Sequence, residues 1–354
     1  MATPEAPEPT PGTPTGPKRP GRHRKILFLV LGLLLTAGLA AAVVLLAPRT
    51  ENPAPAQSPA PSAVATPTPK PKPPPPPEPP PTALNILLVG SDSRVNQRAA
   101  AAAGKPSNQL ADSIVFLHIP ANRKQAYGIS LMRDLWVDIP GHGQAKINSS
   151  LLMGGLPLVT RTVESLLGQR INHTVMVDFQ TFAALTDAVG GVDVNVKVPF
   201  ESTIDPGVRF AAGVNRLNGA RALDFVRERK AFVDGDYQRV RNQQTFLKAV
   251  LTKVVKQGVT DRATARKLAT TALPHITVTP GLTLDALARL AFSFHTTPAN
   301  GAVLFTLPTA GIGTSTDGQS IVLEDPAATA EIKAALRANK LSNYVAAHKL
   351  QNGN

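Results

Sequence analysis

The sequence predicts an α/β protein, a three-layer α/β/α sandwich formed by residues 83–354. Three observations predict it. Short apolar runs of strand length recur from residue 84 onward, stretches with helical spacing lie between them, and Gly, Pro and Asn punctuate the transitions. The first 82 residues contribute nothing to this core, because they hold most of the 34 prolines of the 354-residue chain. A segment that poor in packable side chains cannot offset the entropy of ordering.

Taken in order, residues 1–25 form a basic tail, in which Lys18, Arg19, Arg22, Arg24 and Lys25 face only two glutamates. Residues 26–47 are then 22 uncharged positions rich in Leu, Ala and Val. At about 1.5 Å per residue they reach roughly 33 Å as a helix, the thickness of a bilayer's hydrocarbon core. The basic flank predicts a cytoplasmic N-terminus and an extracytoplasmic remainder, a single-pass type II arrangement in the cell membrane. A cleaved leader has the same basic start, but its apolar region is shorter, about 7–15 residues. Residues 48–82 are a proline-rich linker ending in PKPKPPPPPEPPPT, a composition that favours polyproline II and acts as a stiff spacer.

Within the domain, residues 84–89, 114–119 and 125–131 read as strands, the last two separated by Pro120-Ala121-Asn122. Residues 157–167 have helical spacing and stop before Gly168. A strand at 175–179, a helix at 181–189 closed by Gly190-Gly191 and a strand at 192–196 follow. Helices are expected at 219–226 and 237–256, the latter capped by Asp236. Helices at 261–272 and 284–292, strands at 302–307 and 321–323, and closing helical turns complete the count.

The chain has no cysteine, which removes disulfides and thiolate metal sites. Its formal charge is +13, and residues 83–354 carry +9 of it, from 29 Lys and Arg against 20 Asp and Glu. Such a domain expects an anionic partner: nucleic acid, anionic lipid or a phosphate-rich substrate. No G-x-S-x-G, Walker loop or H-E-x-x-H occurs, and the seven histidines lack metal-ligand spacing. Asp and Arg instead gather at the ends of apolar strands. Asp92 follows the first strand in GSDSR and Asp112 precedes the second. If those strands are neighbours, two carboxylates meet, a donor set suited to Mg²⁺; taken alone, each also fits a turn cap. Arg94 shares the first loop and Arg133 ends the third strand. Arg227 and Arg229 stand two apart, on one side of an extended chain. Arg239 and Gln243 share a helix face, where Gln243 breaks a stripe of Val240, Leu247, Val250 and Val254. Guanidinium forks bind phosphate oxygens, and phosphoryl transfer needs mainly positioning and charge stabilisation. Asp236, one turn before Arg239, is a candidate base as well as a cap.

These pieces resemble, in order and spacing, the LytR-CpsA-Psr family of cell-wall glycopolymer ligases. The matching stretches include NILLVGSDSR (85–94), ADSIVFLHI (111–119), SLMRDLWVDIPGHGQAKIN (130–148), LNGARALDFVRER (217–229) and DGDYQRVRNQQTFL (234–247). The resemblance implies a sandwich with a central mixed sheet and a long apolar pocket for a polyprenyl tail, which Phe182, Leu185 and Val189 could line. It implies Asp92 and Asp112 as Mg²⁺ ligands, and Arg133, Arg227, Arg229, Arg239 and Gln243 as pyrophosphate binders, with Asp236 at the position of the catalytic acid. The implied reaction moves a glycopolymer from a polyprenyl-pyrophosphate donor to a peptidoglycan hydroxyl through a phosphodiester link, with pyrophosphate hydrolysis as a side activity. The source implied is Gram-positive. Leu110, Met132 and Asn242 depart from the family pattern, where many relatives carry Arg, Pro and Arg. A non-catalytic polyprenyl-phosphate-binding module and a membrane-bound transcriptional attenuator are the alternatives. The predicted topology keeps the domain away from nucleic acid, and no helix-turn-helix or RNA-binding signature is present.

Overall fold

The computed structural model describes residues 82–92, 95–106, 108–188, 190–257, 261–273, 276–278, 282–293 and 301–353. The expected basic tail, membrane span and nearly all of the linker lie outside these residues, as do Arg94 and Val189. Among the described residues, no helix is long and apolar enough to cross a membrane.

The chain runs β1 (Leu84–Ser91), α1 (Val95–Ala102), β2 (Ser113–Ile119), β3 (Ala126–Leu131), β4 (Leu135–Ile139), β5 (Gly143–Lys146) and α2 (Ser149–Leu167). It continues through β6 (His173–Asp178), α3 (Phe179–Ala188), β7 (Val192–Val196), β8 (Phe200–Glu201), β9 (Arg209–Phe210) and β10 (Gly213–Leu217). Then come α4 (Gly219–Arg227), α5 (Asp236–Gln257), α6 (Arg262–Ala272), β11 (Thr277–Val278) and α7 (Leu284–Ser293). β12 (Ala302–Thr306), β13 (Thr309–Thr314), β14 (Ser320–Glu324), α8 (Pro326–Arg337) and α9 (Leu341–Ala347) close the fold.

The central sheet has six strands in the order β11-β6-β1-β2-β3-β12. It is mixed: β1 pairs antiparallel with β2 and parallel with β6, and β3 pairs parallel with β12. Alternate residues along β1 and β2 feed two separate cores. Ile86, Val115 and Leu117 enter the one that includes Phe225 and Phe246 of α4 and α5. Leu87, Ile114 and Phe116 enter the one under α2 and α8. A sheet buried on both faces needs strands that are apolar throughout, which is how they read in the sequence.

The structure differs from the sequence reading in two local features. Helix α2 begins at Ser149, eight residues before Pro157, because Gly154 and Gly155 kink it and let it continue. Gly155 has φ 61°, and a Cβ there would stand 2.3 Å from the Ala101 carbonyl oxygen, so only glycine fits the kink. A second sheet, β13-β14-β4-β5, takes in the expected strand at 321–323 as β14 and adds β13, β4 and β5, short strands that the sequence reading did not give.

Candidate active site

The register of the central strands assembles the site. Gly90 pairs with Ser113, and the Asp112 N–H donates to the Gly90 carbonyl at 2.8 Å. Asp92 and Asp112 therefore leave neighbouring strands at the same end of the sheet. These are the two middle strands, so both residues stand at the centre of the sheet end, where both line one cavity. β3 runs antiparallel to β2 and brings Arg133 to the same end, where its Nη1 donates to Asp112 Oδ1 at 2.6 Å.

Beside this cluster opens a cavity of about 490 Å³. Leu88, Val115, Val177, Phe182, Val226 and Phe246 supply apolar wall, whereas Asp92, Asp112 and the four arginines Arg133, Arg227, Arg229 and Arg239 line its polar side. The helix expected to line such a pocket contributes Phe182; Leu185, on the same helix, is fully buried in the core. Arg227 is the last residue of α4, and its guanidinium carbon lies 4.5 Å from the centre of the Phe179 ring. That contact orients a charge that is otherwise exposed.

Asp236 stands behind the arginines and is not among the cavity's lining residues. Its Oδ2 accepts from Arg239 Nη2 at 2.7 Å and lies 3.0 Å from Arg133 Nε, and its Oδ1 is 3.7 Å from Arg229 Nη1. Its carboxylate is thus turned toward guanidinium groups, and it is the first residue of α5 rather than the cap before it. Burial works against the charge of Arg133, but Asp236, Asp112 and Asp134 outweigh it and hold the group above its ordinary pKa. Burial lowers that of Arg239, with Asp236 opposing in part and Arg133 adding to the shift. The Nε of Arg239 is buried with no hydrogen-bond partner, a cationic donor still to be met.

Gln243 lines the cavity with its amide engaged at both ends. Its Oε1 accepts from Ser113 Oγ at 3.0 Å, and its Nε2 donates to the Val226 carbonyl at 3.2 Å. It thereby ties the residue after Asp112 to the residue before Arg227. Asn242 faces elsewhere, donating to the Phe225 carbonyl, and Met132 is buried in the opposite core. Neither they nor Leu110 line the cavity. Residues that sequence reasoning missed are Thr203, Glu228 and Lys230, all lining, and Asp134, which lies 3.5 Å from Arg133 Nε.

Among the described residues no group of three or more His, Asp or Glu could hold a metal ion. Of the lining carboxylates, Asp92 and Asp112 are the expected pair, and one oxygen of Asp112 is already bonded to Arg133. Such a sparse oxygen set fits Mg²⁺, which keeps several waters and commonly completes its shell with substrate phosphate.

The model of the LytR_cpsA_psr family matches residues 70–338. The chain belongs to that family. It is 32% identical over 254 residues to a probable cell wall biosynthesis protein, LcpB, of Corynebacterium glutamicum, covering 70% of this chain and 59% of that one. It is 33% identical over 172 residues to the polyisoprenyl-teichoic acid–peptidoglycan teichoic acid transferase TagU of Enterococcus faecalis, covering 48% of this chain and 54% of that one. The chain thus spans between half and three-fifths of the length of these relatives. The crystal structure of TagV from B. subtilis superposes with a TM-score of 0.60 at 22% identity, over 73% of this chain and 97% of that one. The mixed α/β fold of this LytR_cpsA_psr member is therefore that of solved members.

Proposed function

We propose that this site transfers a glycopolymer from a polyprenyl-pyrophosphate carrier to a sugar hydroxyl of peptidoglycan. One observation carries the reading: four arginines line the polar side of a cavity whose other wall is apolar. A diphosphate attached to a hydrocarbon chain needs both surfaces side by side. The names of the relatives, a cell wall biosynthesis protein and a teichoic acid transferase, support the same class of substrate.

In this reading the prenyl chain lies along Val177, Phe182 and Phe246, and Arg133, Arg227, Arg229 and Arg239 hold the diphosphate oxygens. The acceptor oxygen bonds to the sugar-proximal phosphorus as the bond to the bridging oxygen breaks, and polyprenyl phosphate leaves. The transition state is loose and makes little demand on a base, so the hydroxyl proton passes to water at the open mouth. Asp236 serves as a positioning group that holds three guanidiniums apart and aimed. Asp92 and Asp112 would hold Mg²⁺, which supplies charge neutralisation for the diphosphate. Membrane anchorage through residues 26–47, with the domain outside the cell, completes the proposal. The test is transfer from a synthetic polyprenyl-diphosphate sugar to a peptidoglycan fragment, with release of polyprenyl phosphate measured with and without acceptor. Acceptor-dependent product supports a ligase. Release of polyprenyl phosphate and sugar phosphate without acceptor product reduces the activity to hydrolysis, and binding without turnover refutes it.

A further inference from the structure

Between the two arginines of the 227–229 segment stands a carboxylate that the proposed chemistry does not use. Glu228 is only 1% exposed. Its Oε1 accepts from the backbone N–H groups of Arg229, Lys230 and Ala231 at 2.9, 2.9 and 3.2 Å. The same oxygen accepts from Thr203 Oγ1 at 2.8 Å. Its Oε2 accepts from the Thr203 N–H at 2.6 Å and Ser202 Oγ at 3.4 Å. Three consecutive backbone N–H groups converging on one oxygen make an anion nest, here filled from within the chain. Burial would push this carboxyl up, but the bonds from Thr203, Ala231 and Arg229 outweigh it and hold it below its ordinary value.

Two segments meet at this carboxylate. One is the loop after α4, whose Arg229 and Lys230 line the cavity. The other is the turn at residues 202–205, in which Ser202 Oγ accepts from the N–H groups of Ile204 and Asp205, both at 3.1 Å. Thr203 and Ile204 of that turn line the same cavity. On the apolar side of the junction, Phe200 stacks on Phe210 at 4.6 Å and meets Phe232 edge-on at 4.8 Å. The aromatic contacts set the two segments side by side without fixing their register. The directional bonds of Glu228 do that.

We propose that Glu228 is a positioning residue that latches the 202–205 turn to the arginine loop, and so fixes where Arg227 and Arg229 stand at the cavity mouth. The inference rests on the phosphoryl-transfer reading of the site. Its energetic basis is that the loop's N–H groups have no regular ladder to join, so without the carboxylate they are left unmet or must find water. A glutamine at this position keeps the shape but offers one acceptor oxygen where two are used, and it turns an NH₂ group toward other donors.

The test compares the wild type with Glu228→Gln, Thr203→Val and the double variant, by three measurements. Amide hydrogen exchange over 202–205 and 229–231 reads the latch without reference to chemistry. Calorimetric binding of inorganic pyrophosphate reads the arginines, and transfer from the synthetic lipid donor reads turnover. Loss of charged hydrogen bonds predicts exchange faster by about 10-fold or more in both segments of Glu228→Gln, with kcat/KM and pyrophosphate affinity lower by roughly 10- to 100-fold. Thr203→Val shifts all three in the same direction and less, and the double variant is no worse than Glu228→Gln, as two groups in one unit require. If Glu228→Gln fails to fold, Thr203→Val decides: unchanged exchange at 229–231 overturns the latch. Unchanged exchange in a folded Glu228→Gln overturns it too, and so does faster exchange with pyrophosphate binding and turnover within about twofold of wild type. A wild type that neither binds pyrophosphate nor transfers removes the functional reading itself, an outcome separate from any behaviour of the variants.

Discussion

Replacing Asp236 by Asn keeps the shape of the group on which three guanidiniums converge and removes its charge. Arg239, with a side chain 6% exposed, loses the partner of a 2.7 Å charged bond, and Arg133, 18% exposed, loses one at 3.0 Å. A hydrogen bond to a charged group contributes about 1.5–3 kcal/mol, and breaking a buried pair from one side costs about 3–5 kcal/mol. The upper figure is too large here. Asp236 is 16% exposed, an asparagine oxygen can still accept one bond, and Asp112 and Asp134 remain as counter-charges to Arg133. About 2–3 kcal/mol is expected, read as a lower urea midpoint at unchanged slope. Transfer should fall with a raised KM for the donor as well as a lowered kcat, since the arginines lose their aim. A loss below about 0.5 kcal/mol with normal transfer would mean that Asp236 does not organise the arginines. A loss of kcat alone, with KM and stability intact, would return Asp236 to the role of proton acceptor.

Four further outcomes follow from the same geometry. Arg227→Ala should lower kcat/KM by about 100-fold while leaving stability within about 0.5 kcal/mol, because the side chain is exposed and packs on the Phe179 ring; normal turnover would remove it from the site. Val177→Phe narrows the apolar wall and should weaken polyprenyl phosphate binding about 10-fold with inorganic pyrophosphate binding unchanged, whereas equal loss of both would place the hydrocarbon elsewhere. Chelation by EDTA should abolish transfer, and Asp92→Asn should raise the Mg²⁺ midpoint about 10-fold; full activity in EDTA would sink the metal assignment. His118 and His173 are both held below the ordinary histidine value by burial. The unfolded chain therefore binds their protons first, and stability should fall as pH drops below about 6.5, by up to ~1.4 kcal/mol per pH unit for each group; urea midpoints that do not move between pH 7 and 5 would contradict this.

The strands were legible because both faces of the central sheet are buried, which forces unbroken apolar runs such as those ending at Gly90 and Leu131. With the strands located, their polar ends followed: Asp92 and Asp112 could be read as meeting if their strands are neighbours, and Arg133 as ending the next strand. Arg227 and Arg239 were legible for a related reason: each sits where a helix with a clear apolar face begins or ends. What the sequence concealed depends on contacts between segments that have no period. The kink at Gly154 and Gly155 hid the first turns of α2, and β4 and β5 are strands of only five and four residues on a small second sheet. Asp236 reads as a cap because an acidic residue at a helix start usually is one. The approach of Arg133, from the turn after β3, with Arg229 and Arg239 turns it aside.

Glu228 is the sharpest case of that limit. In sequence it is one carboxylate inside a run of cations, RERK, and such a run is ordinarily solvated. Its burial is decided by Ser202 and Thr203, which lie on a separate hairpin and carry no motif. The chemistry of a site such as this is therefore written at strand and helix ends, where spacing can be counted, while its precision is written in loops that donate to buried carboxylates. Variants at Arg227 test the first kind of residue and variants at Thr203 the second. If turnover tolerates Thr203→Val as well as it tolerates a surface change, the arginines are held by the helix end and the Phe179 ring alone, and the loop is only their cover.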